Sequence, residues 1–363
     1  MAKRVWARSP PREYVRAACS WGDPGPFGHT YAWGMCASSE TSASRHGIGE
    51  GFGVVQNQSQ VRPPARRTTQ VLGAIASDIK IAHSIFAMPF ALLGAFLARP
   101  QETSSAWFAM QLGLIVLAMV FARTWAMLFN RLVDRQIDAG NPRTAKRALP
   151  SGRLQRGQVI AFAAGSAGGF IALAASYGVV WDNWYPAILS IPVLAFIAFY
   201  SLTKRFTILC HVFLGGALAI SPICAAIAVN PESLRSTPAL WWLGAMVLCW
   251  VAGFDIIYAF QDIACDREAG LKSVPARLGT RSAAWISRML HGCAAGFLVL
   301  VWQSDVRLGV IFLVASLIAV GLLFTEHMVF HRRGLVGLNM AFFTLNGIIS
   351  CMLGLAGIVD LVL

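Results

Sequence analysis

Two rows of polar residues stand at a spacing that could hold divalent metal ions. The rows are Asn130-x-x-x-Asp134-x-x-x-Asp138 and Tyr258-x-x-x-Asp262-x-x-x-Asp266. On a helix, positions i, i+4 and i+8 lie on one face, so each row would project two carboxylates and one further polar group together. Like charges at this spacing repel each other and therefore favour a bound cation.

The chemistry of these side chains favours magnesium. Mg²⁺ prefers hard oxygen ligands, keeps several waters and binds through one or two carboxylates together with substrate phosphates. Two rows therefore predict two Mg²⁺ ions and a diphosphate ligand, although one row alone would more often be solvated loop acids. The predicted metal ligands are Asn130, Asp134, Asp138, Asp262 and Asp266, with Asp134 and Asp262 also assigned to catalysis.

Basic residues near the rows suit an anionic ligand. Tyr200 and Lys204 lie four residues apart, on one helical face, and we assign both to catalysis. Lysine offers a point charge and arginine a planar fork for phosphate oxygens. The predicted diphosphate-binding residues are Arg143, Lys146, Arg147, Lys204 and Tyr258. Simple anchoring at the membrane surface remains an alternative for each basic residue.

The composition indicates which kind of structure must position these residues. Hydrophobic residues make up 56% of the 363-residue chain and charged residues 13%, with a mean hydropathy of +0.59. A soluble domain carries about 25% charged residues, so this chain is predicted to be a multi-spanning membrane protein rather than a soluble enzyme. We expect nine all-helical membrane spans, at 80–98, 106–130, 158–180, 183–201, 207–229, 239–258, 284–302, 307–325 and 337–359.

The distribution of charge predicts an orientation. Basic residues concentrate in the loops after the second, fourth, sixth and eighth segments. By the positive-inside rule these loops, the two aspartate rows and the N-terminus face the cytoplasm, and the C-terminus lies outside the plasma membrane. The net charge of +13 thus has several sources: basic loop residues that set topology or bind diphosphate, and nine basic residues of the N-terminal region to which no role is assigned. The basic residues do not alternate with aromatic residues on a periodic face, so we expect no nucleic-acid binding.

Two regions of different composition divide the chain. Residues 1–70 are rich in Gly, Ser, Arg and Pro and lack helical or strand periodicity, so we expect a disordered basic extension, or residues upstream of the true translation start. Residues 71–363 form the predicted membrane domain.

Taken together, the motifs resemble the UbiA superfamily of intramembrane aromatic prenyltransferases. The resemblance is carried by the paired rows, the segment Tyr200-Ser-Leu-Thr-Lys-Arg-Phe-Thr207 and the stretch from Asp262 to Gly279. It implies nine transmembrane helices in a horseshoe with a cytoplasmic cap, around a cavity open to lipid. It also implies Mg²⁺-dependent transfer of a polyprenyl group from polyprenyl diphosphate to an aromatic acid in quinone biosynthesis.

The acceptor is less narrowly defined by the sequence. Lys80 and His83, near the start of the first segment, and Asp255, within the sixth, are the predicted acceptor-binding residues. The family branch that uses 4-hydroxybenzoate has arginines where Lys80 and His83 stand, so a dihydroxynaphthoate acceptor for menaquinone is the alternative to a 4-hydroxybenzoate-type acceptor. Asp255 could pair with Lys80, Lys204 or Arg123. His211 is interpreted as a residue of close helix packing and cavity lining.

A cation-binding membrane transporter is the alternative from another functional class. Transporters more often place acids near the bilayer midplane on broken helices. Here the acids stand at predicted helix ends beside basic residues, which favours the enzyme.

Overall fold

The computed structural model describes residue 73, residues 86–337 and residues 340–363. The predicted extension at 1–70, the beginning of the first apolar segment, and the acceptor candidates Lys80 and His83 lie outside these residues. Predictions for those positions therefore stay predictions.

The described part of the chain is built from helices. In chain order they are α1 (Met88–Leu97), α2 (Ser105–Gly140), α3 (Arg156–Trp181), α4 (Tyr185–Thr203), α5 (Cys210–Val229), α6 (Ser233–Ser236), α7 (Ala239–Tyr258), α8 (Ile263–Glu268), α9 (Val274–Ser304), α10 (Val310–Arg333) and α11 (Asn346–Val362). Short 3₁₀ turns follow α7 and α10, and a π-helical turn precedes α11. Eight helical segments are long and apolar enough to cross a bilayer, and α1 is a shorter apolar helix of 10 residues. The all-helical membrane fold is confirmed, and the count of nine spans stays a prediction.

Helix α2 extends well beyond the segment that hydropathy predicts. It has 36 residues, so at 1.5 Å per residue it is about 54 Å long, against about 30 Å for the apolar core of a bilayer. The predicted span ended at residue 130, but the helix continues to Gly140 because the polar residues that follow are still compatible with a helix. The first aspartate row lies in this polar extension of the helix.

Helix α7 lies at the centre of the packed helices. Most of its side chains are buried, and it packs between α5 and α9. The approach of α5 is close: a Cβ atom added at Gly215 would lie 2.4 Å from the carbonyl oxygen of Leu248. The close helix packing expected around His211 is therefore confirmed one turn further along the same helix. This central helix ends at Tyr258, where the second row begins.

Candidate active site

The first row is carried by a continuous α-helix. Asn130, Asp134 and Asp138 all lie within α2 and share one face, as predicted. The amide of Asn130 donates a hydrogen bond to Oδ2 of Asp134 at 3.2 Å. Asp134 is 2% exposed and Asp138 5% exposed, so both carboxylates are buried at the end of the helix bundle.

Cations from two other segments neutralise this row. Lys204 contacts Asp134, and Arg205 donates to the second oxygen of the same carboxylate at 2.8 Å. Arg147, in the loop after α2, donates from one nitrogen to both oxygens of Asp138 at 2.7 and 2.9 Å. Two of the predicted diphosphate-binding residues, Lys204 and Arg147, therefore lie directly beside the predicted metal ligands.

The second row is not a continuous α-helix, which corrects the expectation from the sequence. Helix α7 ends at Tyr258, a 3₁₀ turn covers Ala259–Asp262, and Asp266 lies in the separate helix α8. A 3₁₀ turn has three residues per turn, so it shifts the angular phase of everything that follows it. Asp266 accepts a hydrogen bond from the hydroxyl of Ser273 at 2.6 Å.

The loop after α2 brings the two rows to one place. Asn141 donates to Oδ1 of Asp262 at 2.8 Å. Arg143 donates to the same carboxylate from two nitrogens, at 3.0 and 2.6 Å, and to the Tyr258 hydroxyl at 3.3 Å. Burial lowers the pKa of Arg143, but the hydrogen bond and charge of Asp262 outweigh it and raise that pKa above its usual value. Arg143 therefore stays charged and links the first row's loop to the second row.

A cavity of about 290 Å³ lies beneath the rows. Its lining is largely apolar, and its polar members are Arg123, Arg147, Tyr200, Ser221, Asp255 and Tyr258. A second space of about 80 Å³ is lined by five of the same residues, Met119, Phe170, Val193, Ser221 and Cys224, and extends to Tyr177 near the end of α3. The polar end of the cavity thus lies at the rows, and the second space lies next to its apolar part, on the side of Tyr177.

Two charged residues within the cavity have different surroundings. Nδ1 of His211 lies 2.6 Å from Oδ2 of Asp255, so the partner of Asp255 is His211 and not Arg123 or Lys204. His211 is itself buried behind this carboxylate and does not line the cavity, which corrects part of the interpretation from the sequence. Nε of Arg123 is buried and has no hydrogen-bond partner among the described residues. Arg123 lies on α2, two turns before Asn130, and is available to an anionic ligand.

Among the described residues, one predicted residue has no hydrogen bond or salt bridge to the rows, and two residues that were not predicted each have one. Lys146 is exposed and forms no salt bridge with the residues that the structure describes. Sequence reasoning did not assign Asn141 or Arg205 to the site. Asn141 follows directly on the helix that carries the first row, and Arg205 follows Lys204, so adjacency was the only available signal.

The oxygen atoms of the two rows fit Mg²⁺, provided that other ligands complete its coordination. Carboxylate and amide oxygens supply the hard ligands that Mg²⁺ prefers. Within the described ranges, no three His, Cys, Asp or Glu side chains are close enough to hold a metal ion by themselves. Waters and substrate phosphate oxygens would have to complete the coordination, which is the usual arrangement for Mg²⁺.

Comparison with known proteins identifies the family. The pattern of the UbiA prenyltransferase family matches residues 87–348, a range that includes both rows and the cavity. The chain belongs to this family. A 4-hydroxybenzoate octaprenyltransferase from Nitrosomonas eutropha is 29% identical over 226 residues, which cover 62% of this chain and 75% of that protein. A mitochondrial 4-hydroxybenzoate polyprenyltransferase from Caenorhabditis elegans is 30% identical over 183 residues, and the match spans about half of each chain (50% and 49%).

Solved structures of family members have the same fold. The apo structure of a UbiA homologue from Aeropyrum pernix K1 is 33% identical, has a TM-score of 0.68, and covers 77% of this chain and 98% of its own. A UbiA homologue from Archaeoglobus fulgidus, bound to GPP and Mg²⁺, has a TM-score of 0.62 at 16% identity and covers 80% of this chain and 100% of its own. At that identity the second likeness concerns the fold alone.

Proposed function

We propose that this UbiA family protein transfers a polyprenyl group from polyprenyl diphosphate to an aromatic acid, with Mg²⁺ as cofactor. The observation that carries the proposal is the meeting of two carboxylate rows and their cations above one apolar cavity. The names of the relatives, which are 4-hydroxybenzoate prenyltransferases, support this reaction class.

The two rows and their cations would bind the diphosphate. Two Mg²⁺ ions, held by Asn130, Asp134 and Asp138 and by Asp262 and Asp266, would neutralise the charge that develops on the leaving group. The cations now paired with these carboxylates, among them Lys204, Arg147 and Arg143, can then donate to phosphate oxygens instead. Tyr200 and Tyr258 line the cavity immediately beneath and contribute polar oxygens and π faces near the breaking C–O bond.

The cavity suits the two organic substrates. Breaking the C–O bond gives an allylic cation that water would quench, so an apolar cavity protects the reaction. The apolar part of the cavity and the adjacent space towards Tyr177 would take the prenyl chain. Arg123 is the cavity cation with an unpaired buried nitrogen, and we assign it to the carboxylate of the acceptor. Asp255, opposite in charge, faces the same space.

Orientation and acceptor choice belong to the same proposal. We place the rows on the cytoplasmic side of the plasma membrane, where polyprenyl diphosphate is available, and the C-terminus outside. Lys80 and His83 remain candidate acceptor ligands, and the acceptor is either of the 4-hydroxybenzoate type or a dihydroxynaphthoate. A cation transporter is disfavoured because the paired acids lie at helix ends and are neutralised by arginine and lysine.

The direct test is prenyl transfer by the purified protein in nanodiscs, with an all-trans polyprenyl diphosphate and either acceptor. We expect product with Mg²⁺, no product with EDTA, and no product from Asp134→Asn. Asp305→Asn is the matched control, because Asp305 is also buried in an arginine pair (Arg307, 2.7 Å) but lies in the loop after α9, at the opposite end of that helix from the rows. The proposal is wrong if neither acceptor is prenylated or if EDTA has no effect.

Arg123→Gln separates acceptor binding from diphosphate binding. Loss of a charge-assisted pair costs about 1.5–3 kcal/mol, so KM for the acceptor should rise about 10- to 100-fold while KM for the prenyl diphosphate stays unchanged. A rise in KM for the diphosphate substrate alone would contradict the assignment of Arg123.

A further inference from the structure

Asp255 is the one carboxylate among the described residues that line the cavity. It lies on α7, one turn before Tyr258, where that helix ends and the second row begins. Because α7 runs from the cavity up to the second row, Asp255 lies deeper than the diphosphate-binding residues. Its carboxylate therefore faces the apolar space where the organic substrates meet.

The hydrogen bonds around His211 fix which atom carries its proton. The backbone N–H of Val274 donates to Nε2 of His211 at 3.2 Å, so Nε2 is an acceptor and carries no hydrogen. The proton of the neutral ring is then on Nδ1, which lies 2.6 Å from Oδ2 of Asp255. Nδ1–H therefore donates to Asp255, which accepts through Oδ2.

Asp255 differs in its partner from three of the four row carboxylates. Asp134, Asp138 and Asp262 are each held by lysine or arginine. In the described structure, Asp255 pairs only with a histidine, through one of its two oxygens. Oδ1 of Asp255 has no hydrogen-bond partner among the described residues and can accept a proton, while the bond through Oδ2 holds the carboxylate in place.

We propose that Asp255 is the proton acceptor of prenyl transfer and that His211 is the residue that positions it. The proposal rests on the proposed function. A ring carbon of the acceptor, activated by its hydroxyl, uses an electron pair to bond C1 of the prenyl group while the C1–O bond breaks and leaves its electrons on the diphosphate. The same ring carbon then loses its proton to Oδ1 of Asp255. The C–H electron pair restores the aromatic ring, and the proton passes to solvent after product release.

The second hydrogen bond of His211 connects this base to the second row. Val274 follows Ser273, whose hydroxyl donates to Asp266. His211 is 3% exposed, so it is fixed between the cavity carboxylate and the loop that carries a predicted metal ligand. These hydrogen bonds fix the position of the proton acceptor relative to the diphosphate site.

An acceptor deuterated at the ring position that becomes prenylated provides the test. Asp255→Asn keeps an oxygen that can accept from His211 but cannot take up a proton. For the natural enzyme we expect an isotope effect close to unity, because ionisation of the prenyl diphosphate is slower than proton loss. In Asp255→Asn we expect kcat to fall about 100-fold or more, KM for the acceptor to change little, and a clear primary isotope effect to emerge.

The His211 variants test the positioning role. His211→Leu should lower kcat with the same isotope effect, whereas His211→Asn, which retains an N–H donor near the position of Nδ1, should recover part of the loss. Prenyl diphosphate binding and the unfolding temperature serve as folding controls, and the Asp255→Asn result decides alone if His211→Leu does not fold.

The outcomes separate this inference from the proposed function. If the natural protein forms no prenylated product, the proposed function is wrong. If it forms product and Asp255→Asn keeps kcat within about threefold, or loses activity through KM with no isotope effect, the assignment of Asp255 as the base is overturned.

Discussion

The two aspartate rows have the same spacing in the sequence but different structures. The first lies on one uninterrupted helix, and its carboxylates are almost fully buried. Lys204 and Arg205, directly after α4, and Arg147, in the loop after α2, neutralise them. The second is divided between the end of α7, a 3₁₀ turn and α8, and its residues are partly exposed. Its contacts come from the loop side chains Asn141, Arg143 and Ser273.

This difference indicates a division of roles. The buried carboxylates of the first row are part of the packing between α2 and α4, so they contribute to stability as well as to the site. Among the described residues, hydrogen bonds from Asn141 and Arg143 in the loop after α2 join the second row to the first. We therefore expect the first row to be a fixed platform and the second row to complete the site around the diphosphate.

The largest effect should come from comparing Asp134→Asn with Asp262→Asn. Both should lower kcat by about 100-fold or more, since each removes charge that stabilises the leaving group. Only Asp134→Asn should also lower the unfolding temperature clearly, because it leaves Lys204 and Arg205 beside a neutral amide. Thermal unfolding in detergent, together with single-turnover kinetics, measures both. Equal destabilisation by the two variants would remove the distinction between the rows.

A smaller effect on activity is expected from Arg143, which links the loop after the first row to Asp262 in the second row. Arg143→Gln removes the forked contact to Asp262, and we expect KM for the prenyl diphosphate to rise about tenfold with little change in stability. Lys146→Gln is the matched control from the same loop, since Lys146 is exposed and unpaired among the described residues, and its effect should be smaller. A larger effect of Lys146→Gln would show that Lys146, rather than Arg143, provides the main cation for diphosphate.

The smallest effect on activity is expected from Ser273, which forms a hydrogen bond with Asp266 of the second row. Ser273→Ala removes one hydrogen bond to Asp266, so the Mg²⁺ concentration for half-maximal activity should rise about 3- to 10-fold. Ser316→Ala, which removes a buried hydroxyl bond within α10, should leave that concentration unchanged. If both variants behave alike, Asp266 does not depend on Ser273 for its position.

Hydropathy and spacing were sufficient to predict much of the fold. The bounds of α7 agree with the predicted segment 239–258, because the apolar run and the helix end together there. Helix α2 extends beyond its apolar run, because a helix can continue through polar residues outside the bilayer core. In α9 the backbone breaks at Gly279 (φ 79°), shortly before the predicted segment begins at residue 284. Hydropathy therefore identifies the residues that can lie in the bilayer core, but it does not show where the backbone hydrogen bonds of the helix end.

The site was predictable only where its residues share one local segment. The row Asn130, Asp134 and Asp138 follows from helical periodicity, but the phase change after Tyr258 does not, because both α and 3₁₀ turns accommodate the same residues. The contact of His211 with Asp255 joins residues 44 positions apart on different helices. It depends on the rotation of α5 against α7, which no local pattern encodes.

The central claim is that both rows act together to bind Mg²⁺ and diphosphate. It is tested most directly by the affinity of the purified protein for an unreactive polyprenyl thiolodiphosphate, measured with and without Mg²⁺. We expect Mg²⁺ to tighten binding at least about tenfold in the natural protein, and Asp134→Asn and Asp262→Asn each to abolish that gain. Binding of equal strength with EDTA, or a full Mg²⁺ effect in either variant, would contradict the account.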